Sequence, residues 1–314
     1  MLNDNKIVPY YEEYLQVDKT HKIYLACYGN KKCTPVIYAH GGPGGQSSDK
    51  IATLFDLEYY NVILFDQRGC GKSVPYCSIE NNNTFETISD MEKIRKHLNI
   101  NKWIVSGGSW GTTISLVYAI NYPQQTLSLI LRGIFLARQE DVDYLYHKGT
   151  SDYYPDLHEI FTNKVSNIPG NNILEKYLNV FLDPQVSQET KNEYASVFAR
   201  WESEICTIDK VDFKPDAQSD FQIALFESYY FVNKSFLPSD NYILDNIDKI
   251  KDIPTYIIHG RQDIDTRPIG AYLLAKKLNN CDLNFVDKAG HTILEANLYD
   301  AFKQATEKIK NNML

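Results

Sequence analysis

Four short apolar runs in the first half of the chain each end in a glycine-bearing turn. Val36-Ile37-Tyr38-Ala39 leads into His40-Gly41-Gly42-Pro43-Gly44-Gly45, and Asn61-Val62-Ile63-Leu64-Phe65 into Asp66-Gln67-Arg68-Gly69-Cys70-Gly71. Trp103-Ile104-Val105 leads into Ser106-Gly107-Gly108, and Leu127-Ser128-Leu129-Ile130-Leu131 into Arg132-Gly133. Near-continuous apolar runs, rather than alternation, predict parallel strands covered on both faces. From Thr84 to Leu98, Ile88, Met91, Ile94 and Leu98 fall near one face of a helix. Thr112 to Ile120 predicts another helix. Late in the chain the same alternation returns: strand at Pro254–Ile258, helix at Ile269–Leu278, strand at Leu283–Val286, helix at Ile293–Ile309. Tyr10–Val17 and Lys22–Tyr28 predict an antiparallel hairpin at the start.

Strand and helix in alternation argue for an α/β fold with a mostly parallel sheet. Glycine placement marks an interruption. Nine of the 16 glycines lie between Gly41 and Gly111, whereas Thr150 to Pro254 holds only Gly170. The middle therefore reads as a helical insertion. The expected organisation is a core over residues 1–136, a helical cap over 137–240, and the rest of the core over 241–314.

Composition narrows the function classes. A chain of 314 residues with 43% hydrophobic and 23% charged residues can bury a large core. Its net charge of -8, with no basic block, disfavours nucleic acid or anionic lipid as partner. Trp103 to Leu131 carries no charge, but its glycines, Asn121 and Pro123 break it too often for a membrane span. Met1–Lys6 lacks the apolar stretch of a secretory signal. The six cysteines include no C-x-x-C pair, so free thiols in a reducing cytoplasm are expected. With no ligand-spaced His/Cys cluster, no metal or other cofactor is expected.

Gly107-Gly108-Ser109-Trp110-Gly111 fits G-x-S-x-G between a predicted strand and a predicted helix. That is the context of a nucleophile elbow, where a sharp turn holds the serine hydroxyl above the sheet. The competing reading is an ordinary turn with a capping serine. A nucleophilic serine needs a base and an acid, and in elbow enzymes they follow it in the order acid, histidine. His147, His158, His259 and His291 follow Ser109, the first two inside the helical insertion. His291 follows Ala289-Gly290 after the last strand and is the favoured base. Asp263, in His259-Gly260-Arg261-Gln262-Asp263, is the favoured acid, with Asp265 its competitor. Oxyanion donors in this class come from the residue after the nucleophile and from a glycine-rich loop, here Trp110 and Gly42. A phosphate-binding reading of the glycines fails on spacing. Gly71-Lys72-Ser73 would need glycine where Asp66 stands to make a P-loop. Serine at the elbow also excludes the aspartate-nucleophile chemistry of haloalkane dehalogenases and epoxide hydrolases.

His40-Gly-Gly-Pro-Gly-Gly, Asp66-Gln-Arg-Gly-Cys-Gly-Lys-Ser, Gly107-Gly-Ser-Trp-Gly and Leu131-Arg-Gly-Ile-Phe135 together resemble the proline iminopeptidases. These are serine peptidases of the α/β-hydrolase fold with a helical cap. The resemblance runs over nearly the whole chain and includes Tyr146-His-Lys-Gly149 and Tyr154-Pro155-Asp156. It implies an exopeptidase acting on short peptides with a free N-terminal proline. Trp201-Glu202 and Glu227-Ser-Tyr-Tyr-Phe231 resemble the family segments that carry amine-binding glutamates, which nominates Glu202 and Glu227, with Glu204 the rival. Arg132 and Phe135 match positions beside the substrate pocket. The pattern departs at Phe198, where a Trp is usual, at Tyr229, where the family often has His, and at Leu145 and Thr266, where some members carry Tyr and Cys. Those departures keep a broader aminopeptidase, amino-acid amidase or carboxylesterase open. A non-catalytic binding protein on the same fold is the third reading.

Overall fold

Among the described residues, eight strands form one sheet. In chain order they are β1 (Tyr11–Gln16), β2 (Lys22–Gly29), β3 (Thr34–Ala39), β4 (Tyr60–Phe65), β5 (Trp103–Gly108), β6 (Thr126–Arg132), β7 (Thr255–Gly260) and β8 (Cys281–Val286). Across the sheet the order is β1-β2-β4-β3-β5-β6-β7-β8. The predicted hairpin is present as β1 and β2, and β2 pairs antiparallel with β4. Every later pair is parallel. Both β4 and β5 are buried at every position, as their unbroken apolar runs require. The computed structural model describes residues 7–210 and 212–313. The segment Met1–Lys6, searched above for a signal, lies outside the described residues.

Helices α1 (Asp49–Ala52), α2 (Thr84–His97) and α3 (Trp110–Asn121) fall between the early strands. Five more follow β6: α4 (Gln139–Tyr146), α5 (Pro155–Lys164), α6 (Ile173–Leu182), α7 (Gln188–Ile205) and α8 (Ala217–Val232). Then come α9 (Tyr242–Asp245), α10 (Pro268–Ala275) and the closing α11 (Ala296–Met313). The charge-free stretch is strand, helix, strand. No helix among the described residues is long and apolar enough to cross a membrane. Aromatic side chains join the middle helices: Phe161 stacks on Tyr177 at 4.9 Å and on Trp201 at 5.7 Å, with Phe198 edge-on.

The closing helix starts later than the apolar pattern suggests. Ile293–Glu295 belong to a loop instead, because Glu295 accepts from Gly290 N at 2.5 Å and from Ile208 N at 3.0 Å. That carboxylate ties the turn before α11 to the segment after α7. Elsewhere, loops leave the C-terminal ends of β3, β4, β5, β6, β7 and β8 on one edge, where ligands bind open α/β sheets.

Candidate active site

Ser109 caps α3 with φ 58°, a left-handed conformation that a serine adopts only under constraint. Its neighbours explain how the turn closes. A side chain at Gly111 would collide with the Ala39 carbonyl, and one at Gly107 with the Gly111 carbonyl. Ser109 N donates to Arg132 O at 2.9 Å, which fixes the elbow against β6. Among the described residues Ser109 Oγ has no hydrogen-bond partner.

His291 lies in the loop after β8, with Nδ1 at 2.8 Å from Asp263 Oδ2. Asp263 Oδ1 also accepts from Thr266 N at 2.8 Å, and its Oδ2 from Thr266 Oγ1 at 3.0 Å. These bonds orient the carboxylate, so Nδ1 of His291 is the protonated nitrogen. Its Nε2 faces Arg132 Nη1 at 3.2 Å and Asp265 Oδ2 at 3.3 Å, rather than Ser109. Burial opposes charge on His291, but the carboxylates of Asp263 and Asp265 outweigh it and raise its pKa. Burial also pushes Asp263 upward, yet the His291 charge and hydrogen bond hold it below the usual range. Of the two candidate acids, Asp263 meets Nδ1 and Asp265 meets Nε2.

The backbone of the histidine loop hangs from α7. Cys206 O, just past that helix, accepts both His291 N at 2.9 Å and Thr292 N at 3.0 Å. His259, the other late histidine, is buried and neutral by geometry. Its Nδ1 accepts from Ile134 N at 3.0 Å, so Nε2 donates to Thr266 O at 2.8 Å. Burial holds its pKa below the ordinary histidine value.

Gly41 and Gly42 lie beside Ser109 in the wall of a cavity of about 490 Å³. The loop they belong to is pinned from below. Gln67 N donates to His40 Nε2 at 3.0 Å, Gln67 Nε2 to His40 O at 2.9 Å, and Trp110 Nε1 to Gln67 Oε1 at 3.1 Å. Gln67 thus ties Trp110, the residue after the nucleophile, to the glycine loop.

Arg132, Phe135, Glu202 and Glu227 line the same cavity. Arg132 donates to His291 O at 2.7 Å, and its Nε is buried without a partner among the described residues. Phe135 packs edge-on against Phe231 with centroids 5.6 Å apart. Glu202 and Glu227 meet at a residue that sequence spacing does not reveal. The Tyr146 hydroxyl lies 2.6 Å from Glu202 Oε1 and 2.6 Å from Glu227 Oε2. One hydroxyl proton cannot satisfy two carboxylates, so the geometry favours a further proton on the pair. Burial, then the nearby Asp265 charge, pushes Glu202 up to about 7. Burial and Glu202 push Glu227 well above the usual carboxylate range. Glu204, the rival glutamate, instead pairs with Arg200 at 2.6 Å and is absent from the cavity wall.

The fold also gathers Glu202, Cys206 and Asp265, whose donor atoms lie within 4.8 Å of one another. Glu202 and Cys206 stand one helical turn apart at the end of α7, and Asp265 reaches them from the loop after β7. All six cysteines are unpaired. Tyr146, Asp265 and the Cys206 carbonyl are the site features whose roles spacing alone missed; Asp265 carried a prior signal as a competing acid, and Tyr146 only as part of a segment resembling the family's.

A family model described as the alpha/beta hydrolase fold matches residues 34–298. The proline iminopeptidase of Neisseria meningitidis serogroup B is 38% identical over 307 residues, which cover 98% of this chain and 98% of that protein. That of Arabidopsis thaliana is 37% identical over 314 residues, covering 97% of this chain and 81% of the relative. Among solved structures, a haloalkane dehalogenase loop variant from Bradyrhizobium elkanii superposes with a TM-score of 0.68 at 16% identity, covering 96% of both chains. An alpha/beta fold family hydrolase from Bacillus anthracis gives 0.63 at 20% identity, covering 95% of this chain and 98% of that one. These structural likenesses speak to the fold alone.

Proposed function

Because the chain belongs to the proline iminopeptidases, a family of the alpha/beta hydrolase fold, we propose that it releases proline from the free N-terminus of short peptides. One observation carries the reading: two glutamates sharing a tyrosine hydroxyl face the same cavity as the elbow serine. A buried anionic pair demands a cation, and the α-ammonium of a peptide is adjacent to the bond to be cut. Residues 137–240 then act as a cap that supplies this clamp and excludes long folded chains. The six unpaired cysteines suit a reducing, cytoplasmic compartment.

The substrate ammonium takes the place of the proton held between Glu202 and Glu227. Phe135 offers an apolar wall to the pyrrolidine ring. His291 Nε2 leaves Arg132 and Asp265 for the Ser109 hydroxyl; catalytic hydrogen bonds commonly tighten only once substrate is seated. Ser109 Oγ attacks the prolyl carbonyl carbon as its proton passes to His291 Nε2. The oxyanion sits between the N–H groups of Trp110 and Gly42. The C–N bond breaks, the leaving amine takes the proton from His291, and water hydrolyses the prolyl ester by the same route. Asp263 keeps the imidazole in its tautomer and stabilises the imidazolium.

The test compares prolyl, alanyl and N-acetylprolyl amides of one fluorophore, beside an acetyl ester, with wild type and Ser109→Ala. Rapid cleavage of the free prolyl amide, little of its N-acetyl form, and a loss on the order of 10⁶ in the variant are expected. Equal cleavage of free and acetylated amides sinks the amine clamp. Absence of Ser109 labelling by a fluorophosphonate in folded protein points instead to a binding protein.

A further inference from the structure

We propose that Asp265 is a third acceptor for the substrate ammonium, and that it extends the activity to N-terminal residues with a primary amine, such as alanine. The inference rests on the reading that Glu202 and Glu227 hold that amine.

Asp265 is buried, at 6% exposure, and lines the cavity that holds Ser109. Among the described residues no lysine or arginine forms an ion pair with it. Its carboxylate is met by Cys206 Sγ at 3.1 Å, a weak donor, and by His291 Nε2 at 3.3 Å. A buried carboxylate so poorly served calls for a cationic donor.

Position agrees with that need. The Asp265 and Glu202 oxygens lie within 4.8 Å of each other. Two acceptors on one tetrahedral ammonium, each near 2.8 Å from nitrogen, stand about 4.6 Å apart. Glu202 and Glu227 in turn touch the same hydroxyl. The three carboxylates thus form a chain from His291 to Tyr146. Asp265 is the member beside the base, and the α-nitrogen is two bonds from the carbonyl carbon under attack.

Counting donors separates the substrates. A prolyl ammonium carries two N–H groups, which Glu202 and Glu227 satisfy, leaving a ring carbon to face Asp265. A primary ammonium carries three, one for each carboxylate. The third charge-assisted hydrogen bond then favours the primary amine by about tenfold to hundredfold over a site that lacks it.

The experiment measures kcat/KM for alanyl and prolyl amides of one fluorophore with wild type, Asp265→Asn and Asp265→Val. Wild type is expected to cleave both. The alanyl-to-prolyl ratio should fall about tenfold or more in Asp265→Val, and by less in Asp265→Asn, whose amide oxygen still accepts. Any general loss through His291 affects both substrates alike and cancels in the ratio. An unchanged ratio in both variants overturns the proposal, as does wild type that leaves the alanyl amide intact. Should the variants not fold, wild type alone decides. N-methylation of the alanyl amine removes one N–H and should slow cleavage about tenfold; no slowing overturns the proposal. Failure of the underlying clamp is distinguishable, because wild type would then cut N-acetylprolyl amide as fast as the free form.

Discussion

Gln222 on α8 donates its side-chain amide to the Gly44 carbonyl at 2.6 Å. The same amide reaches Gly45 O at 2.9 Å, while Gln222 Oε1 accepts from Gly71 N at 2.8 Å. One side chain of the helical segment thus clasps both the glycine loop that carries Gly42 and the turn after β4. Gly44 lets the backbones come this close: it holds φ 101°, and a Cβ there would stand 2.7 Å from Gln222 O. Gln222→Ala frees the loop without touching Ser109, His291 or the glutamates. Because a misplacement of about 1 Å can cost on the order of 10² in rate, kcat/KM for a prolyl amide should drop about tenfold to hundredfold. Labelling of Ser109 by a fluorophosphonate, which needs the oxyanion donors but no amine clamp, should slow in parallel. Normal labelling with a raised KM would assign Gln222 to substrate binding instead.

The shared proton between Glu202 and Glu227 makes amine binding depend on pH. Glu202, pushed by burial to about 7, must release its proton before the pair can take a cation. KM for a free prolyl amide should therefore fall as pH rises through about 7, while hydrolysis of an acetyl ester shows no matching change in KM. The Tyr146 hydrogen bond lowers the pKa of both glutamates. Tyr146→Phe should move the fall in KM to higher pH. Steady-state kinetics between pH 5.5 and 9 at fixed ionic strength checks both points.

The same pair bears on stability, with a definite sign. An acid raised on folding binds more protons folded than unfolded, so its contribution declines as pH climbs. For Glu202 that decline begins near the ordinary value of 4.5 and is complete above about 7. Glu202→Gln removes this burden. Chemical unfolding should find the variant gaining on wild type from pH 5 to pH 8, with the two nearest each other at the acid end. A constant difference across that range would mean the carboxyl is not protonated in the free protein.

What the chain discloses about itself follows from how local each feature is. The strands were legible because buried parallel strands need unbroken apolar runs, and the elbow because its glycines are adjacent in sequence. Element ends blurred where tertiary bonds decided them, as at Ile293–Glu295, which Glu295 draws into the loop after His291. Asp263 and Asp265 stand two residues apart, and only the fold tells which oxygen meets which imidazole nitrogen. Tyr146 lies 56 residues from Glu202 and 81 from Glu227, so no spacing rule could join them. Asp66-Gln-Arg-Gly-Cys-Gly-Lys-Ser drew notice as a family motif, and its geometry is structural. Asp66 Oδ1 accepts from Ser47 N at 2.6 Å, Oδ2 from Lys72 N at 2.8 Å, and Asp66 O from Ser73 Oγ at 2.7 Å.

Arg68, within that motif, supplies the sharpest prediction about stability. Its guanidinium is buried at 1% exposure and forks onto Asp90, with Nε to Oδ2 at 2.6 Å and Nη2 to Oδ1 at 2.9 Å. Asp18 at 2.7 Å, Glu86 at 2.9 Å and the Asn81 carbonyl at 2.9 Å take the remaining directions. Asp90, also 1% exposed, has otherwise only Lys93, at 3.1 Å, among the described residues. Arg68→Met keeps much of the apolar stem but strands the Asp90 charge in the interior. Breaking a buried pair from one side costs about 3–5 kcal/mol. Removing the orphaned charge as well, in Arg68→Met with Asp90→Asn, should recover a substantial part of that loss. Urea unfolding of wild type, both single variants and the double variant measures the coupling. Equal losses in Arg68→Met and the double variant would show that Arg68 contributes through its packing and its other partners, and that its bond to Asp90 adds little.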